Sequence, residues 1–210
     1  MDDNNQTQQT YNALAQAYQQ KFMHLDLYND TYNTFIKLLP APNATIFEIG
    51  CGPGNITKYL LTKRTDFKIH AIDFAPNMIT LAKENNPTAE FSVMDCRDID
   101  QLTAKSDGIM CGFCLPYLSK EGCAKLVKDC AALLNNGGIF YFSAIEGEYS
   151  KSQYETSSDG KHKTFVYYHE ENYLQEMLKE NGFEVVDLIR KEYPKAGEIS
   201  THIIFIAGKK

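Results

Sequence analysis

The chain has 210 residues, 43% of them hydrophobic and 23% charged, which is typical of a soluble globular protein and suits one α/β domain with a full core. Lysine and arginine number 21 against 27 acidic residues, so the formal net charge is −6. This balance disfavours a protein that relies on attraction to nucleic-acid phosphates.

The amino terminus and the cysteines predict a cytoplasmic protein. The start of the chain has neither the basic nor the apolar region of a secretory signal, and no apolar run approaches the roughly 20 residues that span a bilayer. The six cysteines are therefore expected to be reduced. Cys111 and Cys114 form a CxxC pair without a second ligand pair, so we interpret the cysteines as buried apolar side chains and predict no metal site.

Two amphipathic helices are predicted ahead of the first strand. Apolar residues recur at helical spacing over 11–22, after a polar segment, 1–10, that we expect to be frayed, and again over 28–39. Because both helices precede the first strand, they can fold over the ligand-binding edge of the sheet. They are interpreted either as a packing cap or as a lid in which Tyr18 touches a cofactor.

A glycine-rich turn follows the first predicted strand. Gly50, Gly52 and Gly54 come directly after an apolar run that contains Glu48. Glycine lets the backbone turn sharply and approach a ligand closely, and the helix that follows directs its positive end towards that ligand. The turn therefore predicts a nucleotide-type cofactor site, although an ordinary strand-to-helix turn can use the same glycines.

The remaining pattern alternates strands with helices, as in a mostly parallel sheet. Five strands are predicted at 45–49, 67–72, 91–94, 107–113 and 139–145, and four helices at 54–63, 76–85, 119–134 and 170–181. The glycines within 135–138 are expected to close the third of these helices. The polar stretch 146–168 reads as an inserted loop or hairpin, and the runs 183–190 and 200–207 predict a terminal antiparallel hairpin.

Acidic residues also follow the second and third predicted strands. Asp73 lies 19 residues beyond Gly54, at the tip of the neighbouring strand, where a carboxylate can accept both hydroxyls of a ribose. Phe74 beside it can lie against an adenine ring, and Met78 belongs to the next helix. Asp95 has the same structural place after the third strand. A third acid at one sheet edge makes the cofactor signal specific.

These features together resemble the class I S-adenosylmethionine-dependent methyltransferases. Glu48, Gly50, Gly52 and Gly54 match the four signature positions of the family's glycine motif, and the likeness covers about residues 45–208. The resemblance implies a Rossmann-like, doubly wound, seven-stranded and mostly parallel sheet with an antiparallel C-terminal hairpin. It also implies one methyltransferase domain over 1–210, with an N-terminal helical cap over 1–42, a cofactor-binding core over 43–210 and the insert 146–168.

The resemblance further implies S-adenosyl-L-methionine as cofactor and S-adenosyl-L-homocysteine as product. In the family the glycine loop holds the methionine moiety, the second-strand acid holds the ribose, and the third-strand acid meets the adenine amine. With contacts expected from position added, the predicted cofactor-binding residues are Tyr18, Glu48, Gly50, Cys51, Gly52, Asp73, Phe74, Met78, Asp95, Cys96 and Phe113.

Two other functions share part of this pattern. A nicotinamide-dependent oxidoreductase also uses a glycine turn and a second-strand acid, but here the third glycine falls one position short of G-x-G-x-x-G, and Asp95 has no duty in a dinucleotide site. A protein that binds the cofactor only as a sensed ligand, or that has lost its chemistry, has the same sequence features as an enzyme. Cofactor binding without turnover would identify that case.

The loop after the fourth strand favours a small-molecule acceptor over nucleic acid. Methyltransferases of nucleic-acid bases carry an Asp/Asn/Ser-Pro-Pro-Tyr/Phe loop there, and this chain matches it only at Pro116 and Tyr117. The helical cap and the insert are expected to enclose the acceptor with their tyrosines. Possible acceptor contacts or bases are His24, Tyr28, Tyr117, Glu146, Tyr149 and His169; no catalytic base is predicted.

Overall fold

The computed structural model describes residues 3–157, 160–195 and 198–210. The strands span Thr45–Ile49 (β1), Lys68–Asp73 (β2), Glu90–Val93 (β3), Ser106–Cys111 (β4), Leu134–Ile145 (β5), Gln153–Thr156 (β6), Lys163–Val166 (β7), Phe183–Lys195 (β8) and Glu198–Lys209 (β9). The helices span Asp3–Phe22 (α1), Asn29–Lys37 (α2), Asn55–Lys63 (α3), Pro76–Asn85 (α4), Lys120–Leu133 (α5) and Glu171–Glu180 (α6). Within these ranges, no helix is both long and apolar enough to cross a membrane.

Seven strands form one sheet in the order β3-β2-β1-β4-β5-β9-β8. β1 to β5 are parallel, and β9 pairs antiparallel with both β5 and β8. This confirms the predicted Rossmann-like, doubly wound sheet with its C-terminal antiparallel hairpin. The strand order reverses between β1 and β4, so the carboxyl ends of the strands open a crevice at that point, where such sheets bind ligands.

Helices cover both faces of the sheet with apolar side chains. On one face, Val127 of α5 and Leu174 of α6 pack in the same cluster as Phe142 of β5. On the other face, Phe35 of α2 and Leu60 of α3 are fully buried in a second cluster. The nearly continuous apolar runs of the central strands follow from this burial on both faces.

The N-terminal helix begins earlier than predicted. Residues 3–10 are helical, so the expectation of a frayed segment over 1–10 is wrong for these eight residues. Thr7 and Thr10 are buried, and the Gln8 side-chain amide donates a 2.7 Å hydrogen bond to the carbonyl of Phe74. A polar sequence is ordered here because polar side chains find partners across the sheet edge.

The boundary between α5 and β5 also differs from the prediction. The helix ends at Leu133, and Leu134 already has extended backbone angles, whereas a helix closed by the glycines at 135–138 was expected. Lys209 Nζ donates to the carbonyls of Ala131 and Leu134, at 2.6 and 2.9 Å, so a distant lysine satisfies the helix end. Gly138 instead permits close strand packing, because a Cβ there would lie 3.0 Å from the Asp107 carbonyl.

The insert forms a hairpin, one of the two predicted alternatives. β6 and β7 pair antiparallel over Gln153–Thr156 and Lys163–Val166, and residues 158 and 159 between these strands lie outside the described residues. The end of the insert is tied to the segment after β4: the Tyr167 amide donates to the Pro116 carbonyl at 2.8 Å. Residues 196 and 197, predicted in the β8–β9 turn, also lie outside the described residues.

Candidate cofactor site

The glycine turn has a backbone conformation that suits glycine. Gly50, Gly52 and Gly54 have φ angles of 68°, 53° and 79°, in the left-handed region that other residues rarely adopt. The Cys51 amide donates to the Ile72 carbonyl at 2.9 Å, which fixes the turn against β2. The turn ends at Asn55, where α3 begins, and the Gly54 amide closes it by donating to the Cys51 carbonyl at 3.0 Å.

Asp73 joins the end of β2 to this turn. Its Oδ2 accepts a hydrogen bond from the Gly52 amide and its Oδ1 one from the Ala75 amide, each at 2.9 Å. Burial raises the pKa of Asp73 to about 6 despite these two donors. Each carboxylate oxygen retains acceptor capacity for a further hydrogen bond, so the residue can shape the turn and still bind hydroxyl groups.

Asp95 lies at the end of β3, next to a short 3₁₀ helix over Cys96–Gln101. Its carboxylate accepts hydrogen bonds from Arg97 Nε at 3.1 Å and from an Arg97 terminal nitrogen at 2.8 Å. The thiol of Cys96 lies 3.4 Å from that of Cys114, so the ends of β3 and β4 meet. Four of the six cysteines are buried as predicted, whereas Cys96 and Cys114 are half-buried.

One cavity brings these elements together. It opens at the carboxyl end of the sheet and is lined by 15 residues. Nine predicted cofactor-binding residues line it: Tyr18, Gly50, Gly52, Asp73, Phe74, Met78, Asp95, Cys96 and Phe113. Acids from two strand ends and the glycine turn thus share one space.

Helix α1 covers this cavity. A Cβ on Gly52 would lie 3.6 Å from Cε1 of Tyr18, so the tyrosine ring closes over the turn. About two helical turns towards the amino terminus, the Tyr11 hydroxyl hydrogen-bonds to the Tyr117 hydroxyl. The Asn77 amide donates to Asn12 Oδ1 at 2.8 Å, which attaches α1 to α4. Of the two N-terminal helices, α1 is therefore the one that could act as the predicted lid.

Two predicted cofactor-binding residues, Glu48 and Cys51, do not line the cavity. Both side chains are buried. Glu48 Oε2 accepts a 2.5 Å hydrogen bond from the Thr57 hydroxyl, and Oε1 has no hydrogen-bond partner among the described residues. Burial raises the pKa of Glu48 to about 8. The acid of the glycine motif therefore lies beneath the first turn of α3.

The second N-terminal helix, α2, does not cover the cavity. Tyr28 is buried and its hydroxyl lies 2.6 Å from His202 Nδ1, which is inconsistent with the predicted acceptor contact at Tyr28. Phe113 separates this pair from the cavity, with its ring centroid 4.8 Å from that of Tyr28. Phe113 has a φ of 62°, and its amide donates to the Ser143 hydroxyl at 2.9 Å.

Of the other predicted acceptor contacts, only Tyr117 lines the cavity. Glu146 forms an ion pair with Arg190 at 2.6 Å. His169 is fully buried with Nε2 2.9 Å from the Leu115 carbonyl, and burial lowers its pKa to about 4. The ring of Tyr149 stacks on a neighbouring tyrosine of the insert. The tyrosines of cap and insert thus do not form the single pocket that was expected.

Six lining residues were not predicted to bind cofactor: Tyr11, Met94, Gly112, Cys114, Tyr117 and Leu118. Tyr11 carries a usable signal, because it precedes Tyr18 by seven residues and so occupies the same helix face. Met94, Gly112 and Cys114 adjoin predicted residues at the ends of β3 and β4, and Tyr117 and Leu118 follow in the segment after β4.

Comparison with known proteins relates this architecture to methyltransferases. A model of the methyltransferase domain family matches residues 46–138. The 235L protein of Invertebrate iridescent virus 6, a candidate methyltransferase by its name, is 36% identical over 91 residues, which are 43% of this chain and 34% of that protein. The tRNA N(3)-methylcytidine methyltransferase trm141 of Schizosaccharomyces pombe is 28% identical over 166 residues, 70% of this chain and 66% of that protein.

Among solved structures, magnesium protoporphyrin IX methyltransferase from Synechocystis PCC 6803 with bound S-adenosylmethionine superposes with a TM-score of 0.74. The match covers 100% of this chain and 98% of that one at 16% identity, so it establishes a shared fold. The chain spans between one third and two thirds of the length of the first two curated relatives. The methyltransferase domain family therefore accounts for residues 46–138, and the whole chain shares the fold of the methyltransferase structures to which it is similar.

Proposed function

We propose that this chain transfers the methyl group of S-adenosylmethionine to a small-molecule acceptor and releases S-adenosylhomocysteine. The observation that carries the proposal is the convergence of the glycine turn, Asp73 and Asp95 on one cavity beneath α1. An ordinary strand-to-helix turn does not require acids at two further strand ends. Carboxylates at those ends can accept hydrogen bonds from the hydroxyls and the amine of a nucleoside.

The lining residues suit the three parts of the cofactor. The methionine moiety would lie against Gly50 and Gly52, where the absence of side chains allows close approach. The ribose hydroxyls would donate to Asp73, whose position is fixed by two backbone amides. The adenine would lie between Phe74 and the end of β3, with its amine near Asp95.

Methyl transfer from a sulfonium requires little chemistry from the protein. When bound, the cofactor supplies an electrophilic methyl group, and the chain has to hold a nucleophile in line with it and exclude water. Helix α1 is placed to exclude water, because Tyr18 closes over Gly52 and Tyr11 contacts Tyr117 across the cavity.

The net negative charge of the chain and the position of α1 over the cavity favour a small acceptor over RNA. The chain has a net charge of −6, and a phosphate backbone binds best to a basic surface. The cavity lies beneath α1, which is itself in contact with β7 of the insert. One relative is named for a tRNA substrate, but this chain spans only 66% of the length of that protein and is 28% identical to it.

Calorimetric titration with S-adenosylhomocysteine tests the cofactor assignment. We expect one site per chain in the wild type, and at least about 100-fold weaker binding in Gly52→Val, because valine is strained at a φ of 53° and fills the space next to Tyr18. Binding of NADH instead of S-adenosylhomocysteine would reassign the chain to the oxidoreductases. Turnover with small metabolites but not with total tRNA is the expected acceptor result, and binding without any turnover would identify a sensor.

A further inference from the structure

The described lining of the cavity leaves no group to take a proton from an acceptor once the cofactor is bound. It includes neither histidine, lysine nor glutamate, and the proposed cofactor assigns its two acids to the ribose and to the adenine amine. Asp73 accepts from two backbone amides and Asp95 from Arg97. Three phenols, Tyr11, Tyr18 and Tyr117, and the thiols of Cys96 and Cys114 supply the remaining titratable groups in this lining.

These phenols and thiols stay protonated near neutral pH. Burial raises the pKa of Tyr117 to about 12 and raises those of Tyr11 and Tyr18 further above the usual range. Hydrogen bonding to neighbouring thiols, together with burial, raises the pKa of Cys96 and Cys114. The groups therefore act as hydrogen-bond donors, and an acceptor that must lose a proton during methyl transfer finds no base among them.

Two of the donors are adjacent. The hydroxyls of Tyr11 and Tyr117 hydrogen-bond to each other, and these two oxygens have no other hydrogen bond among the described residues. A pair of hydroxyls has two hydrogens and uses one in the shared bond, so one donor remains. If the pair separates around an entering group, both hydroxyls can donate to it. Asp73 and Asp95, which would hold the nucleoside, lie at strand ends, whereas Tyr11 belongs to α1.

We propose that the acceptor is a carboxylic acid, bound as its carboxylate by the hydroxyls of Tyr11 and Tyr117 and converted to a methyl ester. This inference rests on the methyltransferase function proposed above. The two hydroxyls hold one carboxylate oxygen, and a lone pair of the other oxygen forms the bond to the methyl carbon. The carbon–sulfur bond breaks and its electron pair returns to sulfur, which yields neutral S-adenosylhomocysteine. No proton is transferred, so no base is required.

Other acceptor classes fit these groups less well. An alcohol or an alkylammonium group must lose a proton before or during attack. A thiolate or a neutral ring nitrogen needs no base, but it gains less from two phenolic donors than an anionic oxygen does, because hydrogen bonds to charged oxygen are the stronger ones.

The stability of the product to alkali tests this assignment. The full chain is incubated with methyl-tritiated S-adenosylmethionine and either a small-metabolite extract or a panel of benzoate, phenylacetate and octanoate with their matched alcohols and amines. Mild alkali releases methanol from a methyl ester, so volatile tritium is expected from the extract and from at least one carboxylate. Alkali-stable label would overturn the carboxylate assignment while leaving methyltransferase activity intact. Absence of S-adenosylhomocysteine binding would instead refute the proposed function, and binding without any labelled product would refute both.

Variants of the hydroxyl pair test its role. Tyr11→Phe and Tyr117→Phe are each expected to raise the KM for the carboxylate about 10-fold, because one hydrogen bond to a charged oxygen is lost. Their affinity for S-adenosylhomocysteine should stay within about threefold of wild type. Tyr154→Phe, which removes a hydroxyl from the exposed part of the insert, should change neither value. Equal losses of cofactor and acceptor binding would show that the pair only latches α1, and an unchanged KM would remove it from the acceptor site.

Discussion

The two N-terminal helices are neighbours in sequence but differ in how the fold holds them. Helix α2 presents Tyr32 and Phe35 to the core, and the Phe35 ring packs so closely on β4 that a Cβ on Gly108 would lie 2.8 Å from it. Helix α1 is more than twice as long, with 20 residues against 9, yet Ala15 is its one fully packed apolar residue among those described. Its other attachments to the molecule include several side-chain hydrogen bonds.

Because of this difference, we expect α2 to contribute mainly to the stability of the fold and α1 mainly to the retention of the ligand. Burying an aromatic side chain stabilises the folded chain by several kcal/mol, whereas one hydrogen bond contributes about 1 kcal/mol net because water competes for its partners. Gln8, Asn12 and Gln19 of α1 all make such bonds. We therefore expect α2 to unfold only with the domain and α1 to detach more easily, which is what a cover over a cofactor has to do.

The largest expected effect is on stability, from α2. Phe35→Ala should lower the free energy of unfolding by about 3–5 kcal/mol through lost burial and a cavity against β4. The matched change in α1, Tyr18→Ala, should cost less than about 1.5 kcal/mol in stability but should weaken S-adenosylhomocysteine binding. Urea unfolding and calorimetry on both variants provide the measurements. If the two changes reduced stability equally, the distinction between the helices would fail.

The next effect concerns the sheet side of the cavity. Asp73→Ala should reduce the free energy of S-adenosylhomocysteine binding by about 2–4 kcal/mol, because it removes the ribose acceptor and a partner of the Gly52 amide. Asp98→Ala, at an exposed acid nearby, is the control and should bind normally. Unchanged affinity in Asp73→Ala would remove the ribose role.

A third effect is a pH dependence beneath α3. The pKa of Glu48 is about 8 in the folded chain and near 4.5 when unfolded, so the folded state binds the extra proton between these values. Stability should therefore fall as pH rises from about 4.5 to 8, by at most about 1.4 kcal/mol per pH unit from this group. Glu48→Gln should flatten that slope in denaturant titrations at pH 5, 6, 7 and 8. A slope that is the same in the variant would mean that Glu48 is not the group responsible.

The smallest expected effect concerns the attachment of α1. Asn12→Ala removes the acceptor for the Asn77 amide, so S-adenosylhomocysteine should dissociate about 3- to 10-fold faster, with a melting temperature nearly unchanged. Gln16→Ala, at an exposed position of the same helix, is the control. Stopped-flow displacement measures the rate, and equal rates in the two variants would mean that α1 does not limit release.

The sequence predicted the residues at the sheet edge of the candidate site better than the contacts of α1, which covers it. The glycine turn and Asp73 have local signatures, since φ preferences and strand ends are encoded within a few residues. The Tyr11–Tyr117 pair joins residues 106 positions apart, and no local pattern specifies such a contact. Burial of Glu48 beneath Thr57 likewise depends on how α3 packs.

The same limit explains the misplaced helix end. The glycines at 135–138 carry the usual signature of a helix terminus, but Lys209 satisfies the carbonyls of α5 from the last strand, and extended backbone begins at Leu134. Helical periodicity likewise identified both N-terminal helices without distinguishing α2, which packs on a sheet face, from α1, which lies over the sheet edge.

Hydrogen exchange with and without S-adenosylhomocysteine tests this account most directly, because it reports binding and its location together. Without ligand, the amides of α1 should exchange much faster than those of α2. With saturating ligand, α1 and the turn over 50–54 should become strongly protected, while α2 remains as slow as before. Exchange in α1 that is unaffected by bound S-adenosylhomocysteine, or protection that appears only at a surface remote from α1, would contradict the assignment of the cavity and of its cover.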